Sequence, residues 1–400
     1  MHHDSPADYR DWMRGRFPDL NKSIDDGNTD DLSTLLHESL ALCRHIEKEP
    51  RAHERELYTY LTMVHSALWH HALSHPARSH DVSAEVNEIE SMVLEFASRI
   101  GVEHRFLSVF YLFYNPELPD LRGRFAQFRP LEYETAFIRI NKEGTLQYTH
   151  AAKALWKAYR MLETGNAHYA SLHSLLDLAV TSFRKISHGN SMLLQTPGGE
   201  EFRFITQYFG AVEIAGKTLR GVNAGDQPWP YMIDLLLGVD LKGVFERSFE
   251  GTSGERRYPP AVRTSADMVR YEFDSGRYLH PKYFLPEDYE ELVQTTDAIE
   301  RTNDTLLLAI RKRFSGAEQL ELARTLREVM KHYLAASNVH WQLARRHVPK
   351  NAAGEQIGSA GTNIVTFLRD GLNAERENVK NDLERLYPEL FHSERERTTA

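Results

Sequence analysis

The chain has 400 residues, 41% of them hydrophobic and 26% charged, a soluble composition with enough apolar mass for one large core or two domains. A formal net charge of -9, with no dense basic stretch, argues against a general binder of nucleic acid or anionic membranes. Cys43 is the only cysteine, which excludes an internal disulfide, a thiolate zinc cluster, an iron–sulfur site and covalent CxxCH haem attachment.

Any metal must therefore be held by histidine or carboxylate, or arrive inside a cofactor. The polar start "MHHDSPADYRDW" and the lack of an apolar run near the roughly 20 residues that span a bilayer set a cytoplasmic expectation, with no membrane partner.

Helical periodicity dominates and β-branched alternation is scarce, so the expected class is all-α. Helices are predicted near 29–48, 54–78, 82–101, 103–114, 133–160, 166–187, 228–239, 244–250, 286–312, 316–348 and 360–386. Asp30, Asp31 or Ser33 offers an N-cap to the first, and Thr362 and Asn363 stand where the last begins. Between Gly189 and Pro230 the pattern breaks into a Gly-rich segment, with a short β-hairpin expected in "AVEIAGKTLRG". Residues 251–285 and the connection "VPKNAAGEQIGSAGTN" read as two further irregular regions, and long loops in a helical protein tend to be functional. The charged end "SERERTTA" reads as frayed. Residues 1–105 are expected to form a small N-terminal helical domain and 106–400 a large helical one.

In the helix "LREVMKHYLAASNVHWQLARRHV" the inward stripe is Met330, Tyr333, Leu334, Ser337, Trp341, Ala344 and Val348, and His340 falls inside it beside Ala336, Ser337 and Ala344. An inward imidazole among small side chains leaves room for a flat or bulky group, but a core histidine bonded to a backbone carbonyl fits the same spacing. The loop "IGSAGTN" adds hydroxyls at Ser359 and Thr362 ahead of a helix N-terminus, which suits an anion or is simply a capping loop. Upstream, "HSALWHHALSH" carries His65, His70, His71 and His75. The last two are spaced to chelate a metal, although a solvated helical face explains the same pattern.

At these residues the chain resembles the haem superfamily of indoleamine and tryptophan 2,3-dioxygenases, in particular its monodechloroaminopyrrolnitrin synthase branch. "SNVHWQLARRHVP" is similar to the proximal-histidine helix, "IGSAGTNIVTFL" to the Gly-rich loop, and "YFGAVEIAGKTLRGVNAGDQPWPYMIDLLLGVD" to the central loop and its following helix. "FRKISHG" resembles the segment with the substrate-binding arginine, and "FYLFYNPE" a stretch of the pyrrolnitrin enzyme. The blocks keep their order over about 90–385.

The resemblance implies that His340 ligates the iron of a non-covalent haem b, iron protoporphyrin IX. It implies that Arg184 pairs with a substrate carboxylate, where the surface alternative is an unremarkable exposed arginine. Ala224 and Gly225 would let the central loop approach the haem. Ser359 and Thr362 would meet the amino-acid end of the substrate or a propionate, with Gly358 and Gly361 supplying backbone freedom. The implied activity is a haem-dependent oxygenase of secondary metabolism acting on L-tryptophan or a related aromatic amino acid, with dioxygen activated on His-ligated ferrous haem. A monomer or small homo-oligomer is expected. The rival expectations are a non-catalytic haem or small-ligand binder and a non-haem metal enzyme using the N-terminal histidines. Two departures stand out. No residue matches the distal histidine of tryptophan 2,3-dioxygenase, and Val348 stands where the pyrrolnitrin enzyme has tyrosine.

Overall fold

The computed structural model describes residues 6–46, 53–74, 79–117, 125–249, 258–276, 279–350, 354–358 and 363–391. Among them the fold is all-α, with a single two-stranded hairpin. In chain order the helices are α1 (Pro6–Arg14), α2 (Arg16–Asp25), α3 (Asp30–Ile46), α4 (Glu54–Ser74), α5 (Ser79–Ile100), α6 (Ser108–Phe113), α7 (Glu132–Glu163) and α8 (Tyr169–Gln195). There follow α9 (Phe202–Thr206), α10 (Trp229–Leu237), α11 (Leu241–Phe249), α12 (Ser265–Ser275), α13 (Pro286–Thr302), α14 (Leu306–Arg313), α15 (Gly316–His347) and α16 (Ile364–Asn378). The last runs on into a π-helical turn, Val379–Glu384. No helix among the described residues is long and apolar enough to cross a membrane.

The departures from the predicted elements have local causes. Phe17, Leu20 and Ile24 recur at helical spacing and bury one face of α2, a signal short enough to be overlooked beside the polar start. The predicted helix 286–312 is two helices, because Asn303 adopts a left-handed conformation (φ 54°) and the Thr305 hydroxyl then caps α14 by accepting from Leu308 N. The region 251–285 holds α12, started by a capping box in which Thr264 and Asp267 satisfy each other's backbone N–H groups. The hairpin pairs Val212–Ile214 with Lys217–Leu219, and its two turn residues, Ala215 and Gly216, both have positive φ as such a tight turn requires.

The buried apolar residues form two clusters. One gathers Ala151–Ile186, Trp229–Phe245 and most of α12 to α15. The other gathers α1 to α6, Phe125–Ile138, Leu193–Val222 and Leu343. Helix α8 packs against both α7 and α15, and all three cross from one cluster to the other.

The central loop crosses between them too, and it is tied down by charge. Arg105 is 1% exposed. It donates to Gly221 O at 3.0 Å and to Asp226 Oδ1 at 2.7 Å, while Arg220 donates to the same oxygen at 2.5 Å. Both guanidinium groups lie over the Tyr283 ring. Asp226 Oδ2 accepts from Asn223 N, and Asn223 Oδ1 from Gly225 N, so the turn Ala224–Asp226 is closed by a capping box. Replacing Asp226 with Ala strands buried cationic groups. Denaturant unfolding of Asp226→Ala is expected to show a loss of about 3–5 kcal/mol, and an unchanged midpoint would show that the loop does not depend on this ion pair.

Candidate functional site

The inward face of α15 carries an unusual amount of polarity for a helix between two apolar clusters. Ala336, one turn before His340, belongs to the first cluster, and Leu343, one turn after it, to the second. His340 therefore stands at their seam, the kind of place where ligand sites concentrate. Its ring is deeply enclosed yet not sealed from solvent. Among the described residues it makes no hydrogen bond, so the carbonyl-bonded core histidine is not what the structure contains. Burial lowers the imidazole pKa, which keeps the ring neutral and its lone pair available for a metal.

Along the same stripe lie two carboxylates that sequence reasoning missed. Tyr333 OH donates to Asp234 Oδ1 at 2.8 Å, and Ser337 Oγ donates to Glu375 Oε1 at 2.8 Å. Asp234 comes from α10 and Glu375 from α16, so both neighbouring helices present an acid to α15. Burial pushes the Asp234 carboxyl up to about 7, only partly offset by the Tyr333 hydroxyl. Burial and then the charge of Asp234 raise Glu375 well above the carboxylate range. A signal for Asp234 was available, since it is the only charged residue in "WPYMIDLLL". Nothing marks Glu375 within the charged stretch "NAERENVK".

Among the described residues, three buried polar atoms on these helices lack a hydrogen-bond partner: Glu375 Oε2, Trp341 Nε1 next to His340 in sequence, and Ser182 Oγ on α8. Unsatisfied groups of this kind are rare in a finished core and are expected around a ligand. Together with the neutral imidazole and the small neighbours Ala336, Ser337 and Ala344, they fit a bound haem.

The other expected residues are only partly brought together. Ala224 and Gly225 lie in the loop that crosses the seam, between Val222 of one cluster and Trp229 of the other. Tyr231 OH donates to Gly225 O at 3.2 Å. Gly358 follows Ile357, which pairs with Asn363 in an isolated bridge, and a Cβ at Gly358 would meet Ile364 Cβ at 3.1 Å, so the backbone approach is close. Gln356 donates to the carbonyls of Ala344, Arg345 and Val348, folding this loop onto the end of α15 one turn past His340. Asn363 Oδ1 caps α16 at Thr366 N. Ser359, Gly361 and Thr362 lie outside the described residues.

Arg184 departs from expectation. It is exposed, and its Nε donates to His332 Nε2 at 3.0 Å. His332 is eight residues before His340, about 12 Å along the helix, so the structure holds this arginine on the outer surface of α8 and α15. The solvated-face reading of the N-terminal histidines is overturned as well. His65 and His71 are buried at 2% and 0% exposure, while His75 lies outside the described residues.

Residues 55–242, just under half of the chain, match the family model described as Monodechloroaminopyrrolnitrin synthase PrnB, a member of the haem superfamily that includes the indoleamine and tryptophan 2,3-dioxygenases. That span includes α4 to α8, the central loop and α10, and ends before His340. No curated protein matches the chain.

The raised carboxyls set a pH dependence. The folded state keeps protons on Asp234 and Glu375 that an unfolded chain releases from about pH 4. Their contribution to stability is thus full at low pH and is lost as pH rises through about 7 for Asp234. His340, with its lowered pKa, acts in the opposite sense below its unfolded value of about 6.5. The difference between wild type and Glu375→Gln isolates the carboxyl term. Thermal unfolding should give the variant an advantage in midpoint that grows from pH 5 to pH 8, and a difference that does not change between the two would show that Glu375 titrates in the fold as it does in the unfolded chain.

Proposed function

We propose that this chain is a cytoplasmic haem b oxygenase that takes dioxygen and L-tryptophan or a related aromatic amino acid, in secondary metabolism. The observation that carries this reading is His340: a neutral, unbonded imidazole at the seam of two apolar clusters, in a chain that matches a family of the haem superfamily over residues 55–242. Haem bound there would supply the iron centre on which dioxygen is activated.

The chain's own residues do the rest. His340 would hold the iron without a covalent bond to the macrocycle, and its helix neighbours Ala336, Ser337 and Ala344 keep the side chains beside it small. Burial raises both carboxyls, Glu375 well above the carboxylate range and Asp234 up to about 7, so Glu375 brings a neutral hydrogen-bonding group and Asp234 one poised between its two forms near neutrality. The Ala224–Gly225 turn, fixed by Asp226, presents a rigid edge that shields the site from water. Arg184 could meet a substrate carboxylate only by releasing His332, so the role implied by resemblance is not part of this reading. The partners are small molecules, with no nucleic acid or membrane, and the protein is a monomer or small homo-oligomer.

The protein expressed with added haem is expected to show a Soret band that is lost or shifted in His340→Ala and perturbed by L-tryptophan in the wild type. A colourless wild-type protein sinks the reading, and tight haem binding with no turnover of any indole favours a haem carrier. Arg184→Ala should leave both the haem content and the tryptophan-induced spectral change intact, and loss of the latter alone would return Arg184 to the substrate site.

A further inference from the structure

Far from α15 in sequence, the end of α2 meets the C-terminal half of α4 through Asp25, His70 and His71, whose ligating atoms all lie within 4.8 Å of one another. Asp25 Oδ1 stands 3.7 Å from His70 Nε2 and 3.7 Å from His71 Nδ1. Two donors that each sit about 2.0–2.1 Å from one ion are about 3.3 Å apart at the tetrahedral angle. Each histidine donor thus lies a few tenths of an ångström beyond that spacing from Asp25 Oδ1, and the two imidazoles, within 4.8 Å of each other, need only a modest approach to share one ion.

We infer that Asp25, His70 and His71 form a binding site for a divalent transition-metal ion, zinc by the chemistry of its donors, which clamps α2 to α4. The environment of each ligand supports it. Asn21 Nδ2 donates to Phe128 O at 3.1 Å, so Asn21 Oδ1 faces His71 Nε2 at 3.0 Å and accepts its proton. In the neutral ring that tautomer leaves the Nδ1 lone pair directed at Asp25, the second-sphere arrangement that orients metal-bound histidines.

Asp25 is oriented just as firmly. Its Oδ2 accepts from Arg129 Nη1 at 2.5 Å, Gln207 Nε2 at 2.7 Å and Tyr208 OH at 2.6 Å, so Oδ1 is the oxygen presented to the imidazoles. Tyr208, stacked on Phe128 with ring centroids 4.7 Å apart, packs edge-on against both histidine rings and limits their rotation. The cation Arg129 works against a second positive charge. It is itself shared with Asp26 at 3.9 Å, so the cluster carries two carboxylates against one guanidinium. His71 is fully buried, whereas the side chains of His70 and Asp25 are 20% and 15% exposed, so an ion can enter from their side and keep a water as a further ligand. Two imidazoles and one carboxylate suit zinc and its first-row neighbours rather than magnesium or calcium. This site does not depend on the haem reading.

The test uses the full-length protein stripped with EDTA, equilibrated with Zn²⁺ and passed through gel filtration, with zinc and iron counted by mass spectrometry so that haem iron is scored separately. Wild type should retain about one zinc per chain and melt at a higher temperature than the stripped form. His70→Ala and His71→Gln should each weaken retention by at least about tenfold and abolish the thermal gain. His173→Ala, which removes a surface histidine 3.0 Å from Asp177, is the control expected to change neither. Because the His70 ring is partly exposed, His70→Ala keeps the test valid if the buried His71 variant does not fold. No retained zinc in wild type, or the same retention and thermal gain in His70→Ala, overturns the inference and leaves Asp25 with the two imidazoles as an ion-pair network.

Discussion

The packing against the inward stripe of α15 turns on two acids that, among the described residues, are buried without a cation. Asp234 and Glu375 each meet a hydroxyl, and among the described residues neither has an ion-pair partner. A carboxylate in that setting is too costly to keep ionised, so burial shifts the equilibrium toward the protonated form. As neutral acids they can lie between α10, α15 and α16 and hold those helices in register through hydroxyl bonds. Charged, they would repel each other across the same gap. The packing of this half of the protein is thus conditional on a proton, and His340 shares the stripe on which that proton is held.

The other apolar cluster handles its buried acids differently. Asp226 is matched by two guanidinium groups, and Asp25 by Arg129 with a tyrosine and an amide. Glu134 is fully buried. It accepts from Phe128 N at 2.7 Å, Arg129 N at 2.9 Å and the Tyr111 hydroxyl, although burial still pushes it up to about 7. These groups join distant segments: Asp25 links α2 to the residues around 129 and 208, and Asp226 links the central loop to Arg105. Cation-paired carboxylates make rigid fastenings, because removing either partner leaves the other exposed to the full desolvation penalty. The hydroxyl-bonded pair near α15 makes a softer joint, held by two neutral hydrogen bonds rather than by an ion pair.

The sequence carried the long helices because α7, α8 and α15 repeat apolar residues at helical spacing over many turns, and the tertiary structure agrees with that local signal. It carried the hairpin through Ala-Gly between alternating residues. The inward position of His340 was legible for the same reason, since Tyr333, Ser337 and Ala344 mark its stripe. What was not legible required contacts between elements far apart in the chain. Arg184 lies next to the buried Phe183 on α8, yet only the packing of α8 on α15 shows that it turns outward to His332. Glu375 looks like any solvated helical glutamate until α16 is laid against Ser337. The histidines of α4 read as a polar face because their partners, Asn21, Asp25 and Tyr208, come from two other segments.

The seam between the clusters gives these observations one mechanical meaning. Helix α8 crosses it between Ile186 and Leu193, the central loop between Val222 and Trp229, and α15 between Ala336 and Leu343. Two of the three crossings carry a residue expected at the haem, and a ligand seated at the seam would touch both cores at once. Its binding energy would then appear as added stability of the whole chain.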